Sequence, residues 1–148
     1  MIATPTAMRS FGGALAELLR AGDLVLLIGE LGAGKTTLAQ GIGAGLGVPD
    51  AVRSPTFILA RVHHGGRLPL VHVDAYRLGS VAELDDLDLD SELPVAVTLV
   101  EWGRGLAEVL AADRLEVVIA RPADPSSEIR EVDVVAHGDR WQGVALPG

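Results

Sequence analysis

The sequence predicts an α/β domain in which helices flank a mixed β-sheet. Short, uninterrupted apolar runs are typical of strands buried on both faces, and the chain contains several of them. Segments with helical spacing separate these runs in the first half, whereas strand-like runs crowd together in the second half. With 148 residues, 49% of them hydrophobic, the chain is expected to form a single domain, 1–148, with its own core.

The first half of the chain should contain two helices around one buried strand. Apolar residues at helical spacing predict a helix over 7–20, with Thr6 as its N-cap and Gly22 just beyond its end. The continuous apolar run 23–29 predicts the strand. A glycine-rich turn follows it, and the second helix is expected over 35–46.

The second half should supply most of the sheet. Strands are expected over 56–64, 67–74, 93–102, 114–121 and 128–138. The first two of these are joined at the glycine pair 65–66, which is typical of a hairpin. Two short helices are expected over 80–87 and 103–112.

Composition excludes several classes of protein. The chain has no cysteine, which rules out a disulfide scaffold and a cysteine-based zinc site. Its net charge is −8, so the chain itself is predicted not to bind DNA, and any tRNA would be held by a partner. No apolar run approaches the roughly 20 residues that span a bilayer, and the N-terminus lacks a signal-peptide pattern. A cytoplasmic protein without membrane contact is expected.

The stretch GELGAGKT, which begins at Gly29, matches the phosphate-binding P-loop pattern G-x-x-x-x-G-K-[ST]. Backbone N–H groups of such a loop surround a phosphate, and Gly29, Gly32 and Gly34 let the backbone approach it closely. The following helix directs its unpaired N–H groups and the positive end of its dipole at the same phosphates. We therefore expect a P-loop NTPase fold, with Lys35 on the β- and γ-phosphates of a nucleotide and Thr36 on Mg²⁺.

Lys35 is the only lysine in the chain, and the other eleven cationic residues are arginines. A lysine ammonium is a compact point charge on a flexible stem, whereas the arginine fork is broader and planar. Because the loop around a phosphate is narrow, we do not expect arginine to replace Lys35.

Two acidic residues follow predicted strands and are candidates for the chemistry of this site. Glu101 comes at the end of the run VAVTLVE, and Asp74 at the end of LVHVD. Nucleotide hydrolysis needs a carboxylate near the metal and a group that positions the attacking water. The alternative is that each acid caps a strand end or joins a salt bridge.

The segment RSPTF lies between the P-loop helix and the next predicted strand. In P-loop proteins this region often carries a switch threonine that senses the γ-phosphate and Mg²⁺. Thr56 is the candidate here. The alternative is that the segment is an ordinary turn.

Three histidines raise the question of a transition-metal site with Asp74. His63 and His64 are adjacent, so their side chains should point to opposite faces of a strand, which disfavours such a site. His72 and Asp74 are two residues apart and should share a face. His72 is therefore expected to support the nucleotide site.

The motifs together resemble one family. GELGAGKTTLAQGIGAGLG, SPTF, HVDAYR and LVEWGR occur in the order and at about the spacing of the TsaE family, formerly called YjeE. This is the small bacterial ATPase family of tRNA threonylcarbamoyladenosine biosynthesis. The resemblance covers about 12–121, and HVDAYR and VEW are far more specific than the P-loop. The chain departs from the pattern at Met8, where family members often carry a threonine, so the resemblance assigns no adenine contact there.

The resemblance implies a function and a set of site residues. The chain would hydrolyse ATP with Mg²⁺ and would support multiple turnovers of a complex of two partners, TsaB and TsaD, which acts on tRNA. The residues around the phosphates would be Gly29, Gly32, Ala33, Gly34, Lys35, Thr36 and Thr37. Glu101, together with Thr36, would be the residue on the metal side. Asp74 would act at the γ-phosphate or its water, and Thr56 would be the switch threonine.

Two other functions are compatible with the P-loop. A small-molecule kinase would need a second substrate pocket and a lid with arginines, for which Arg53, Arg61 and Arg67 are candidates. A nucleotide-gated binding module would change shape with ATP and turn over little. The length of the chain disfavours the kinase, and the two acids weakly disfavour the binding module.

Overall fold

The structure, a computed structural model, describes residues 2–29, 34–48, 60–74, 94–101, 113–121, 124, 126–127 and 129–146. The elements along the chain are α1 (Pro5–Leu18), β1 (Leu24–Gly29), α2 (Lys35–Gly45), β2 (Ala60–His63), β3 (Leu70–Asp74), β4 (Val97–Glu101), β5 (Arg114–Ala120), β6 (Glu131–His137) and a 3-10 helix (Asp139–Trp141). Within this part of the chain, no helix has the length and apolarity needed to cross a bilayer.

The six strands form one mixed sheet in the order β2-β3-β4-β1-β5-β6. The four central strands are parallel, and β2 and β6 run antiparallel to their neighbours at the two edges. The predicted mixed α/β architecture is therefore confirmed. The helices predicted over 80–87 and 103–112, and the start of the strand predicted over 56–64, lie outside the described residues.

Helix α1 begins earlier than the sequence suggested. The side chain of Thr4 accepts a hydrogen bond of 3.0 Å from the backbone N–H of Ala7, so Thr4 is the N-cap and the assignment of Thr6 was wrong. The reason is Pro5, whose fixed φ suits the first helical position and whose missing N–H would have no partner there. Thr6 consequently lies inside the first turn.

Both described helices pack on one face of the sheet. Leu15 of α1 and Leu38 of α2 join the inward-facing residues of the central strands in a single core, of which Leu27 and Val117 are members. The helices approach closely, because a Cβ placed on Gly12 would lie 2.6 Å from the carbonyl oxygen of Leu38. The opposite face of the central strands is buried as well, as the continuous apolar runs predicted.

Two arginines from distant segments bind the carboxyl end of α1. Arg67, in the turn between β2 and β3, donates to the carbonyl oxygens of Ala16 at 2.7 Å and Leu19 at 3.2 Å. The Ala16 carbonyl also accepts the backbone N–H of the C-cap residue Leu19 at 3.1 Å, so the guanidinium supplies an additional donor at the end of the helix.

Arg140 is the second of these arginines. It donates to the carbonyl oxygen of Leu18 at 2.8 Å and to the two carboxylate oxygens of Asp23 at 3.1 and 3.0 Å. Its guanidinium carbon also lies 4.1 Å from the ring centre of Trp141. We call Arg67 and Arg140 the arginine clamp. It fixes the end of α1 just before β1 begins.

Candidate functional site

The candidate site lies where the parallel strands β1, β3 and β4 end. Asp74 is in register with Glu101 across β3 and β4, and Glu101 is in register with Leu27 of β1. Gly29, the first residue of the P-loop pattern, ends β1 two residues later. Because parallel strands present their carboxyl ends at the same edge, the backbones of both predicted acids come next to the start of the loop.

A glycine precedes the start of α2. Gly34, its N-cap, has φ 113° and ψ 15°, a left-handed conformation that favours glycine, and it makes no side-chain capping hydrogen bond. The first N–H groups of an α-helix have no partner inside the helix. An α-helix of this length that begins without a side-chain cap offers these N–H groups and its positive dipole end to an anion.

Lys35 is the first residue of α2, and its side chain is buried, with 7% of the residue exposed. Its Nζ donates a hydrogen bond of 2.7 Å to the carbonyl oxygen of Gly29. A buried ammonium is costly unless it is hydrogen-bonded, so the contact holds the charge beside the loop. The side chain thus reaches back from the helix to the end of β1.

Glu101 is also buried, with 5% of the residue exposed, and its Oε2 lies 3.0 Å from Nε2 of His72. His72 is on β3 in register with Leu99, one layer below the edge, and is fully buried. The alternation along the strand predicted that His72 and Asp74 share one face. The structure joins its ring to the carboxylate of the neighbouring strand.

Other predicted site residues are placed only in part. Thr36 and Thr37 lie in the first turn of α2 and are partly exposed. The backbone of Asp74 ends β3 at the same edge. Three predicted residues, Gly32, Ala33 and Thr56, lie outside the described residues.

Two contacts of the site were not foreseen. One is the hydrogen bond from Lys35 to the Gly29 carbonyl, which the motif itself does not indicate. The other involves Met8 of α1, whose Cε lies 3.3 Å from where a Cβ on Gly34 would be. Met8 is one of the apolar residues at helical spacing in α1, but no sequence signal located it against the end of the P-loop.

Comparisons with known proteins identify the relatives of this chain. The family model described as threonylcarbamoyl adenosine biosynthesis protein TsaE matches residues 2–130. A Streptomyces coelicolor protein named tRNA threonylcarbamoyladenosine biosynthesis protein TsaE is 58% identical in an alignment of 138 residues, and the match covers 90% of this chain and 93% of that protein. The protein of the same name from Bacillus subtilis is 38% identical, over 93% of this chain and 85% of its own.

A solved structure resembles the fold described above. The crystal structure of YdiB from Bacillus subtilis superposes with a TM-score of 0.73 at 34% sequence identity. The match covers 93% of this chain and 84% of that one.

Proposed function

Because the chain belongs to the TsaE family of tRNA threonylcarbamoyladenosine biosynthesis, we propose that it binds ATP at the carboxyl edge of its sheet and hydrolyses it for that pathway. The observation that carries the proposal is the position of Lys35. Its ammonium is held at the end of β1 by the Gly29 carbonyl, beside a helix that starts without a side-chain cap. This arrangement suits the phosphates of a nucleotide.

In this proposal, different residues at that edge have different roles. The N–H groups at the start of α2 hold the β-phosphate, and Lys35 moves its ammonium from the Gly29 carbonyl toward the β- and γ-phosphates. Asp74, at the end of β3, orients the attacking water at the γ-phosphate. Thr56 orders against the γ-phosphate as the switch threonine.

Magnesium fits the donors that the chain offers here. Mg²⁺ prefers oxygen ligands and is usually held by one or two protein groups together with substrate phosphates. Thr36 offers a hydroxyl, and Glu101 offers a buried carboxylate on the strand next to β1. When bound, the ion would neutralise charge on the β- and γ-phosphate oxygens.

We further propose that the chain acts in the cytoplasm with TsaB and TsaD and meets tRNA through that complex. A net charge of −8 and a single lysine support this division, because phosphate backbones are bound by clustered cations. A P-loop site that gains part of its catalytic shell from a partner can turn over about 10³-fold faster or more. We therefore expect slow hydrolysis by the isolated chain.

Two measurements test this proposal. One compares partner affinity in two nucleotide states, and the other compares a single round of transfer with multiple rounds. The chain should bind TsaB–TsaD more tightly with a non-hydrolysable ATP analogue than with ADP, as measured by calorimetry. Multiple rounds of threonylcarbamoyl transfer to tRNA should require the chain, and a single round should not. If the γ-phosphate appears on a small metabolite instead, the chain is a kinase. Equal partner affinity in both nucleotide states would favour a passive binding module.

A further inference from the structure

The buried pair of His72 and Glu101 carries an inference that rests on the proposed ATP site and extends it. His72 has no exposed surface, and Glu101 keeps only 7% of its side chain exposed. A carboxylate oxygen accepts hydrogen bonds, so Nε2 of His72 carries the hydrogen in their 3.0 Å contact. The two side chains come from neighbouring parallel strands, β3 and β4.

The position of His72 in the sheet is one that an apolar residue would fill. Its register partner is Leu99, and the preceding residue on the same face of β3 is the fully buried Leu70. The other ring nitrogen, Nδ1, is buried and has no hydrogen-bond partner among the described residues. Burying a polar atom without a partner costs free energy, so packing alone does not account for a histidine here.

Holding Glu101 does account for it. A glutamate has three rotatable side-chain bonds, and a carboxylate at a strand end keeps a fixed orientation only if something binds it. A carboxylate has about four acceptor positions, so the bond to His72 does not exclude further ligands. We propose that His72 is a positioning residue that holds the Glu101 carboxylate, from the core side, in the orientation that receives the metal–nucleotide complex.

The test uses substitutions that move or keep the hydrogen-bond donor. His72→Gln keeps an N–H close to the place of Nε2, whereas His72→Asn moves it back to about the place of Nδ1. His63→Asn is the matched control. His63 is also a buried histidine, but it lies on β2 in register with Leu70, the first residue of β3. Mn²⁺ serves as the metal probe, and its affinity is measured by electron paramagnetic resonance with a non-hydrolysable ATP analogue bound.

His72→Asn should weaken Mn²⁺ binding by about 10- to 100-fold, the usual effect of losing a group that orients a metal ligand. Nucleotide affinity in EDTA should stay within about threefold, because the helix start holds the phosphates. His72→Gln should recover most of the Mn²⁺ affinity, and His63→Asn should keep all of it. Unchanged Mn²⁺ affinity in His72→Asn would overturn the positioning role.

A double-mutant cycle separates positioning from a general loss of stability. In a Glu101→Gln background, His72→Asn should change Mn²⁺ affinity by less than about twofold, because its target is already altered. The same loss in both backgrounds would mean that His72 acts independently of Glu101 and would overturn the proposal. If the wild-type protein binds no nucleotide at all, both the proposed function and the positioning role are wrong. If wild type binds and hydrolyses ATP normally, failure concerns His72 alone.

A second measurement requires no His72 variant. Nitrogen NMR of ¹⁵N-histidine-labelled chain should show the hydrogen of His72 on Nε2, and Glu101→Leu should shift that signal. A bare Nε2 in wild type, or a signal that ignores Glu101→Leu, would contradict the proposed contact.

Discussion

The two ends of β1 use cations in different ways. Before its amino end, Arg140 spreads three hydrogen bonds over Leu18 and Asp23 and stacks on Trp141. At its carboxyl end, Lys35 places a compact charge against the Gly29 carbonyl. A planar fork with several partners is fixed in one geometry, whereas an ammonium on a flexible stem can be redirected. We therefore infer that the arginine clamp serves stability, and we propose that the lysine serves ligand exchange.

The largest expected effect is at the lysine. Lys35→Ala should weaken ATP binding by roughly a hundredfold or more, since hydrogen bonds to charged groups contribute about 1.5–3 kcal/mol each. Lys35→Arg should also fail, because the fork does not suit the loop. Titration with a fluorescent ATP analogue measures the loss. The thermal midpoint should change little in either variant. Normal ATPase activity in Lys35→Arg would show that an arginine can replace the lysine at this position.

The next effect separates binding from chemistry at the same edge. Glu101→Ala and Asp74→Ala should keep ATP affinity within about tenfold, because backbone groups do most of the holding. Each should lower the rate of hydrolysis by roughly a hundredfold, as the loss of charge stabilisation or water positioning does. A phosphate-release assay with TsaB–TsaD present measures it. Turnover near the wild-type rate in both variants would mean that these acids are structural.

Much of this edge could be predicted because the residues that form each part of it are close together in the sequence. A buried parallel strand is a continuous apolar run, and the residue after it lies at the carboxyl edge, so Glu101 and Asp74 could be located from the sequence alone. The P-loop is equally local, since strand, glycines and helix follow one another. The position of His72 one layer below the edge follows from the alternation along β3.

The opposite end of β1 could not be predicted in the same way. Arg140 and Asp23 are 117 residues apart in sequence, and no local pattern indicates that they meet. Their contact depends on how the segment after β6 returns to α1. The misassigned cap of α1 is a different case, because Pro5 was a visible signal for an earlier helix start.

A third prediction concerns the arginine clamp, where substitution should lower stability and leave ATP affinity unchanged. Arg140→Ala should destabilise the fold by about 2–3 kcal/mol, because it leaves the buried Asp23 carboxylate and a helix-end carbonyl without this donor. Arg140→Lys should recover only part of the loss, since a point charge cannot reproduce the fork. Urea denaturation measures both. ATP affinity of the folded variants should match wild type, and a large drop in that affinity would show that the two ends are coupled.

The smallest effect is expected at the contact between α1 and α2. Two adjacent glycines of α1 allow this contact to be tested. Gly12→Ala would put a methyl 2.6 Å from the Leu38 carbonyl oxygen and should destabilise by about 1–3 kcal/mol, as overpacking does. Gly13→Ala meets nothing within 4 Å and should stabilise by about 0.5–1 kcal/mol through its better helix propensity. Both changes insert one methyl into α1, so urea denaturation isolates the effect of the close approach. Equal effects of the two substitutions would mean that the helices separate freely, and the site would then not depend on α1 for its position.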